Sequence, residues 1–305
     1  MQGFATRRAV LAAALLPALP AAAQGVAEGD LRARFAGLGV GANLERWFPI
    51  AADNRPRRLG RGWWQGLRAQ GFDHARLFLP RDAGDGDDVP RLFLAAVEDA
   101  TAAGLPVLLA LDDLFESTDP WPEARIARMA ARGRLFARAT DPALVALAPL
   151  NEPAFPSAAE WRPVRDRLLA RLRAEAPRHA LMWGGHEWCS WRSLLQIAPP
   201  ADPLTIAEVH DYQGGDPAWI AQRFGDVQGW SRRQRVPAMV TELGGALPHA
   251  EDERAWAEDL ARILPALRRL GLPATLWAVT HGGHWRLQQD QGPALRPALA
   301  RAIRR

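Results

Sequence analysis

The sequence predicts a single-domain (β/α)8 barrel of the α/β class. Three observations carry that prediction. Short apolar runs occur eight times, stretches of helical pattern separate them, and successive runs end at a nearly regular interval of about 35 residues. A doubly wound open sheet shares the alternation, but eight units at one cadence suit a closed barrel better.

The runs are Leu38 to Leu44, His74 to Leu79, Pro106 to Leu111, Val145 to Leu150, Ala180 to Gly184, Leu204 to Val209, Ala238 to Thr241 and Ala274 to Val279. They are nearly continuous in apolar residues, as strands covered on both faces should be. The helical stretches include Leu92 to Ala103, closed by Gly104, and Glu123 to Ala139. Ala158 to Ala176 stops at Pro177, and Glu251 to Leu270 is closed by Gly271.

The first 23 residues read differently. Thr6-Arg7-Arg8-Ala9-Val10-Leu11 opens an apolar run that ends in Ala21-Ala22-Ala23, the basic, hydrophobic and small-residue regions of an export signal. The run is too short for a membrane-spanning helix. Its paired arginines point to the twin-arginine route. The expectation is therefore a cleaved leader over 1–23, a catalytic domain over 24–305, and a secreted or periplasmic product with no stable membrane insertion. The single cysteine, Cys189, excludes an intramolecular disulfide, so the fold must hold by packing alone.

Composition narrows the function classes. The 305 residues are 48% hydrophobic and 24% charged, as in folded globular proteins. A formal charge of +4 falls by two once Arg7 and Arg8 leave, and there is no lysine, so the high pI reflects arginine's refusal to deprotonate. A nucleic-acid partner is not expected. Tyr212 is the sole tyrosine and Asn151 one of three asparagines, beside 13 tryptophans.

A barrel gathers its chemistry where the strands end. Asn151-Glu152-Pro153 ends the fourth run and Thr241-Glu242-Leu243-Gly244 the seventh, which sets two glutamates around one mouth. Breaking a glycosidic bond needs one acid to protonate the leaving oxygen and one carboxylate to attack or to activate water, with their pKa values pushed apart. Near them, His210-Asp211-Tyr212 ends the sixth run, and its i, i+2 spacing turns His210 and Tyr212 to one side. Arg76, within the second run, can point inward and favour an ionised carboxylate. Trp277, at the end of the eighth, offers a flat face to a sugar ring.

In this order the pieces Gly41-Ala42-Asn43-Leu44, Gly71-Phe72 through Arg76-Leu77, Asn151-Glu152-Pro153, His210-Asp211-Tyr212, Thr241-Glu242-Leu243-Gly244 and Trp277 resemble glycoside hydrolase family 5, the cellulase-like retaining β-glycanases. The resemblance implies Glu152 as acid/base and Glu242 as nucleophile, about 5 Å apart. It implies that Asn151 holds the sugar 2-hydroxyl, Tyr212 and Arg76 position the nucleophile, His210 supports the carboxylates and Trp277 floors the subsite before the scissile bond. No metal or cofactor is implied. The chain departs from the family where a histidine usually ends the third strand, since Asp112 stands there, followed by Asp113. A carboxylate at that place can bind a sugar hydroxyl or raise a neighbour's pKa.

Other features suggest weaker readings. Glu187, after the fifth run, is the substitute acid should Glu152 not serve. Trp47, Trp63, Trp64, Trp121, Trp188, Trp191 and Trp285 are candidate sugar platforms, each better explained alone by packing. His281 and His284 lack a third ligand, and Gly37-Leu38-Gly39-Val40-Gly41 lacks the spacing of a dinucleotide loop. The expected function is an exported, monomeric endo-β-1,4-glucanase acting on a β-linked oligo- or polysaccharide. A β-mannanase or exopolysaccharide-directed enzyme is the alternative within enzymes, and a non-catalytic glycan-binding barrel the alternative outside them.

Overall fold

The computed structural model describes residues 33–44, 58–79, 89–112, 123–280, 285–290 and 292–304. The expected leader, Trp47, Asp113, Trp121, His281 and His284 lie outside the described residues.

Each apolar run forms a strand: β1 (Val40–Leu44), β2 (His74–Phe78), β3 (Val107–Ala110), β4 (Val145–Ala148), β5 (Leu181–Gly184), β6 (Thr205–Asp211), β7 (Ala238–Leu243) and β8 (Ala274–Thr280). They pair in parallel in sequence order, and β1 also pairs with β8, so the sheet is a closed barrel and not an open one. Closure leaves no strand edge free to recruit another chain.

A helix follows each strand: α1 (Arg61–Ala69), α2 (Val89–Ala102), α3 (Glu123–Ala139), α4 (Ala158–Glu175), α5 (Trp191–Leu195), α6 (Pro217–Gln234), α7 (Glu253–Leu270) and α8 (Pro297–Arg304). The expected α7 start at Glu251 is corrected to Glu253, because the Asp252 carboxylate caps the backbone N–H groups of Arg254 and Ala255. Gly271, in the left-handed region at φ 66°, closes the same helix as expected. The fifth unit is the short one, since α5 has only five residues. Its link from β5 runs close over the barrel end, where Phe155 N–H bonds to the His186 carbonyl and His210 N–H to the Cys189 carbonyl.

Two apolar clusters separate the faces of the strands. Val107 and Leu109 on β3, and Ala207 and Val209 on β6, pack outward against the helices. Leu108, Ala110, Ile206 and Met239 point to the barrel axis, where Phe35 joins them just before β1. That alternation fixes which residues can reach the mouth: Asn43 on β1, Arg76 and Phe78 on β2, Asp112 beyond β3, Glu208 and His210 on β6. β7 breaks it. Val240 and Leu243 both face outward, three positions apart, and the pairing slips on both sides of this stretch. One extra residue is thus accommodated in a bulge, so Thr241 and Glu242 both turn inward.

The floor of the barrel contains one tight approach. A Cβ on Gly41 would overlap the imidazole of His74, which is fully buried and bonded to Thr275 Oγ1 at 2.8 Å and Asp73 Oδ1 at 2.9 Å. Gly41→Ala is expected to lower the unfolding free energy by about 1–3 kcal/mol, the usual cost of overpacking. Denaturant titration reads this, and an unchanged midpoint would show that the ring can swing aside.

Candidate active site

The site is built around Arg76, whose side chain is fully buried at the level where the strands end. Its Nη1 donates to Glu242 Oε1 at 2.7 Å and to Asn43 Oδ1 at 3.4 Å. Its Nη2 donates to Asn151 Oδ1 at 2.8 Å and lies 3.5 Å from Glu208 Oε2. The Phe78 ring stacks under the guanidinium at 4.5 Å. Burial alone would weaken the hold of this cation on its proton, but Glu208 and Glu242 together outweigh it and raise its pKa.

Glu242 is held at both oxygens. Tyr212 donates its hydroxyl to Oε2 at 2.5 Å, opposite the Arg76 bond at Oε1. Tyr212 reaches it because Gly244 leaves room for the phenol ring, and Trp285 packs beside that ring at 5.7 Å. Burial, with Glu242 beside it, pushes the phenol pKa well above its usual value, so Tyr212 stays a donor. Between His210 and Tyr212, Asp211 points away to Arg223, with Nη2 donating to Oδ1 at 3.1 Å. The i, i+2 reading of this tripeptide therefore holds.

Glu152 has a different setting. Its Oε1 is 2.6 Å from His210 Nδ1 and its side chain is buried. Burial raises its pKa to about 7, against the opposing pull of Arg76. Burial lowers that of His210 to about 4, so the imidazole is neutral near neutral pH. His210 Nε2 faces the guanidinium at 3.5 Å, a group that can only donate, which assigns the ring proton to Nδ1. Nδ1–H then donates to Oε1 of Glu152 and leaves Oε2 to carry the carboxylic proton.

One oxygen each of Glu152 and Glu242, with a His210 nitrogen, lie within 4.8 Å of one another. Retaining glycosidases hold their two carboxyl groups about 5–5.5 Å apart and inverting ones about 6.5–9.5 Å. The separation thus suits direct attack by one carboxylate. The same three groups could be read as metal ligands, but atoms bound tetrahedrally to zinc stand ~3.4 Å apart, and the 2.6 Å between His210 and Glu152 is a hydrogen bond.

The remaining candidates fall into place unevenly. Asn151 is bonded through its oxygen to Arg76, which leaves its amide N–H groups as the donors facing away. Asp112 is buried at the mouth and ion-paired to Arg125 at 3.4 Å, and its carbonyl accepts from Asn151 N–H at 3.0 Å. Trp277 is half-buried and edge-on to Phe78 at 5.4 Å. It lies within β8, which continues to Thr280, rather than at its end. Glu187 is an exposed loop residue that accepts from Ser190 Oγ at 3.1 Å, outside the group of side chains gathered around Arg76. Cys189 is a packed thiol that donates to the Asn151 carbonyl at 3.3 Å, and burial pushes its pKa well above the usual range. Trp64 and Trp191 are buried, whereas Trp188 is 51% exposed. Gly37 to Gly41 leads into β1, not into a helix.

Sequence reasoning missed Glu208. It is fully buried two residues before His210, on the same side of β6, and accepts from Thr241 Oγ1 at 3.0 Å. Burial raises its pKa, against Arg76. The signal was available, since a glutamate of inward parity inside an otherwise apolar strand is not a solvated residue.

Comparison with known proteins places these features. The protein-family model for cellulase, glycosyl hydrolase family 5, matches residues 91–283. An endoglucanase from Thermotoga maritima superposes with a TM-score of 0.74 at 17% identity, covering 90% of this chain and 99% of that one. The same enzyme has been solved with mannotriose, again at 0.74 and 17%, covering 90% and 100%. The cellulose synthase subunit Z of Clostridioides difficile gives 0.70 at 13% identity, covering 87% and 99%. A search of curated proteins found no match.

Proposed function

The chain belongs to glycosyl hydrolase family 5, and is therefore a retaining glycoside hydrolase of β-linked polysaccharides, a premise from which we propose that it is an endo-β-1,4-glucanase with Glu152 as acid/base and Glu242 as nucleophile. The observation that carries the residue roles is the pair of carboxyl groups within 4.8 Å in unlike surroundings. Glu152 carries a proton up to about pH 7. Glu242 faces one cationic and one neutral donor.

In the first step Glu242 attacks the anomeric carbon while the glycosidic bond breaks and the leaving oxygen takes the proton from Glu152. Arg76 and Tyr212 keep the attacking carboxylate from rotating. His210, neutral and donating to Oε1, orients Glu152 so that its proton-bearing oxygen faces the leaving group. In the second step Glu152 takes a proton from water, the water oxygen bonds to the anomeric carbon and Glu242 is released. The free amide N–H of Asn151 suits the 2-hydroxyl, and Trp277 gives the sugar a flat apolar floor. Asp112 and Arg125 at the rim bind a hydroxyl further along the chain.

Incubation with defined β-1,4-glucans and β-1,4-mannans tests this reading, with products analysed by mass and anomer. Glucan cleavage in mid-chain with the β-anomer formed first is expected; cleavage of mannan alone would replace the substrate. A mannan is the second reading, favoured by the likeness to the enzyme solved with mannotriose. Export through the paired arginines belongs to the same proposal. It predicts a mature N-terminus near Gln24 in protein recovered from its host, and a product that still begins at Met1 would refute it. We further propose that the enzyme works as a monomer. No helix among the described residues is long and apolar enough to cross a membrane.

A further inference from the structure

The catalytic cycle moves negative charge around the buried guanidinium of Arg76. In the free enzyme Arg76 faces Glu242 at 2.7 Å and Glu208 at 3.5 Å. When Glu242 bonds to the anomeric carbon it becomes a neutral ester, and Glu152, having given its proton to the leaving oxygen, becomes the anion. The guanidinium has then lost its nearest charged partner, while the new anion at Glu152 sits on the far side of His210. Asn43 and Asn151 supply only neutral oxygens. A buried cation left without a counter-ion is strongly unfavourable.

Glu208 is placed to meet this need. It is 0% exposed, so water cannot take its role. Thr241 Oγ1 fixes its Oε2 at 3.0 Å on the Nη2 side of Arg76, while its Oε1 has no hydrogen-bond partner among the described residues. Nothing in the attack on the anomeric carbon consumes it. We propose that Glu208 is a positioning residue that holds Arg76 in register while Glu242 is esterified, so that release of the glycosyl-enzyme depends on it more than its formation does. The inference rests on the roles given above to Glu152 and Glu242.

The two steps can be read separately with 2,4-dinitrophenyl 2-deoxy-2-fluoro-β-cellobioside, whose leaving group needs no acid and whose fluorine slows release. In the wild type, mass spectrometry should find the label on Glu242. Glu208→Gln should be labelled within about threefold of the wild-type rate, while reactivation of the labelled enzyme slows about tenfold or more. With the unfluorinated dinitrophenyl cellobioside, kcat and KM should fall together and kcat/KM stay nearly constant. Glu208→Asp, which keeps the charge but draws it back from Arg76, should give the same split in smaller measure and serves if the glutamine variant does not fold. Label on Glu242 with reactivation unchanged, or with both steps slowed alike, overturns the role of Glu208. Failure to label, or label on another residue, overturns the underlying assignment instead.

Discussion

Glu242→Gln is expected to lower hydrolysis of a β-1,4-glucan by about 10⁴-fold or more, roughly 5 kcal/mol of transition-state stabilisation. The amide has nearly the shape of the carboxylate and can still accept from Arg76 or Tyr212 through its one oxygen, so the barrel should fold and bind substrate. What it loses is the anion that forms the covalent bond. Two donors now converge on the two ends of a group with one acceptor, and the amide NH2 must face either Arg76 or Tyr212. The check is a pair of measurements, steady-state turnover and oligosaccharide affinity by calorimetry. Turnover should collapse with affinity kept within about tenfold, and full activity would remove Glu242 from the mechanism.

Replacement of Glu152 should divide substrates by their leaving groups. Glu152→Ala is expected to lower glucan hydrolysis by about 10³-fold or more, because the sugar leaving oxygen needs a proton. An aryl glycoside with an acidic phenol should be attacked at close to the normal rate and then stall, since water is no longer activated; azide, which needs no base, should restore turnover. The pH profile supplies the second half of the test. Glu152 must be protonated to act as acid, and burial sets its pKa at about 7. Wild-type kcat/KM on glucan should therefore fall as pH rises through about 7, and this limb should be missing when Glu152→Ala acts on the activated substrate. A limb that survives the substitution would belong to another group.

Much of this was legible in the sequence, for a physical reason. Strands covered on both faces must be apolar nearly throughout, so β1 to β8 stand out as eight runs, and the barrel then carries the ends of β4 and β7 to one place. Asn151, Glu152, His210, Tyr212 and Glu242 are found by that logic. Glu208 shares the inward parity of His210 on β6 and so carried a signal too, but it lies inside the strand and not at its end, where a search for chemistry at the barrel mouth looks. The bulge in β7 leaves no local signature, since Val240-Thr241-Glu242-Leu243 fits a regular strand equally well. Nor does any spacing reveal that Asp112 pairs with Arg125, or which glutamate holds the proton; both depend on burial and on partners distant in the chain.

That bulge also sets how this protein can change. In a strand of strict alternation, a threonine and a glutamate side by side would serve opposite faces, and only one would touch the polar interior. Here adjacent codons provide the reacting group and the hydroxyl that anchors the layer beneath it. Loss of Val240 or Leu243 would restore a regular ladder while turning one of the two against the surrounding helices, and loss of Thr241 or Glu242 would restore it by removing one of them outright. Such a deletion would cost little in pairing and nearly everything in chemistry, so this stretch should accept substitution far more readily than a change of length.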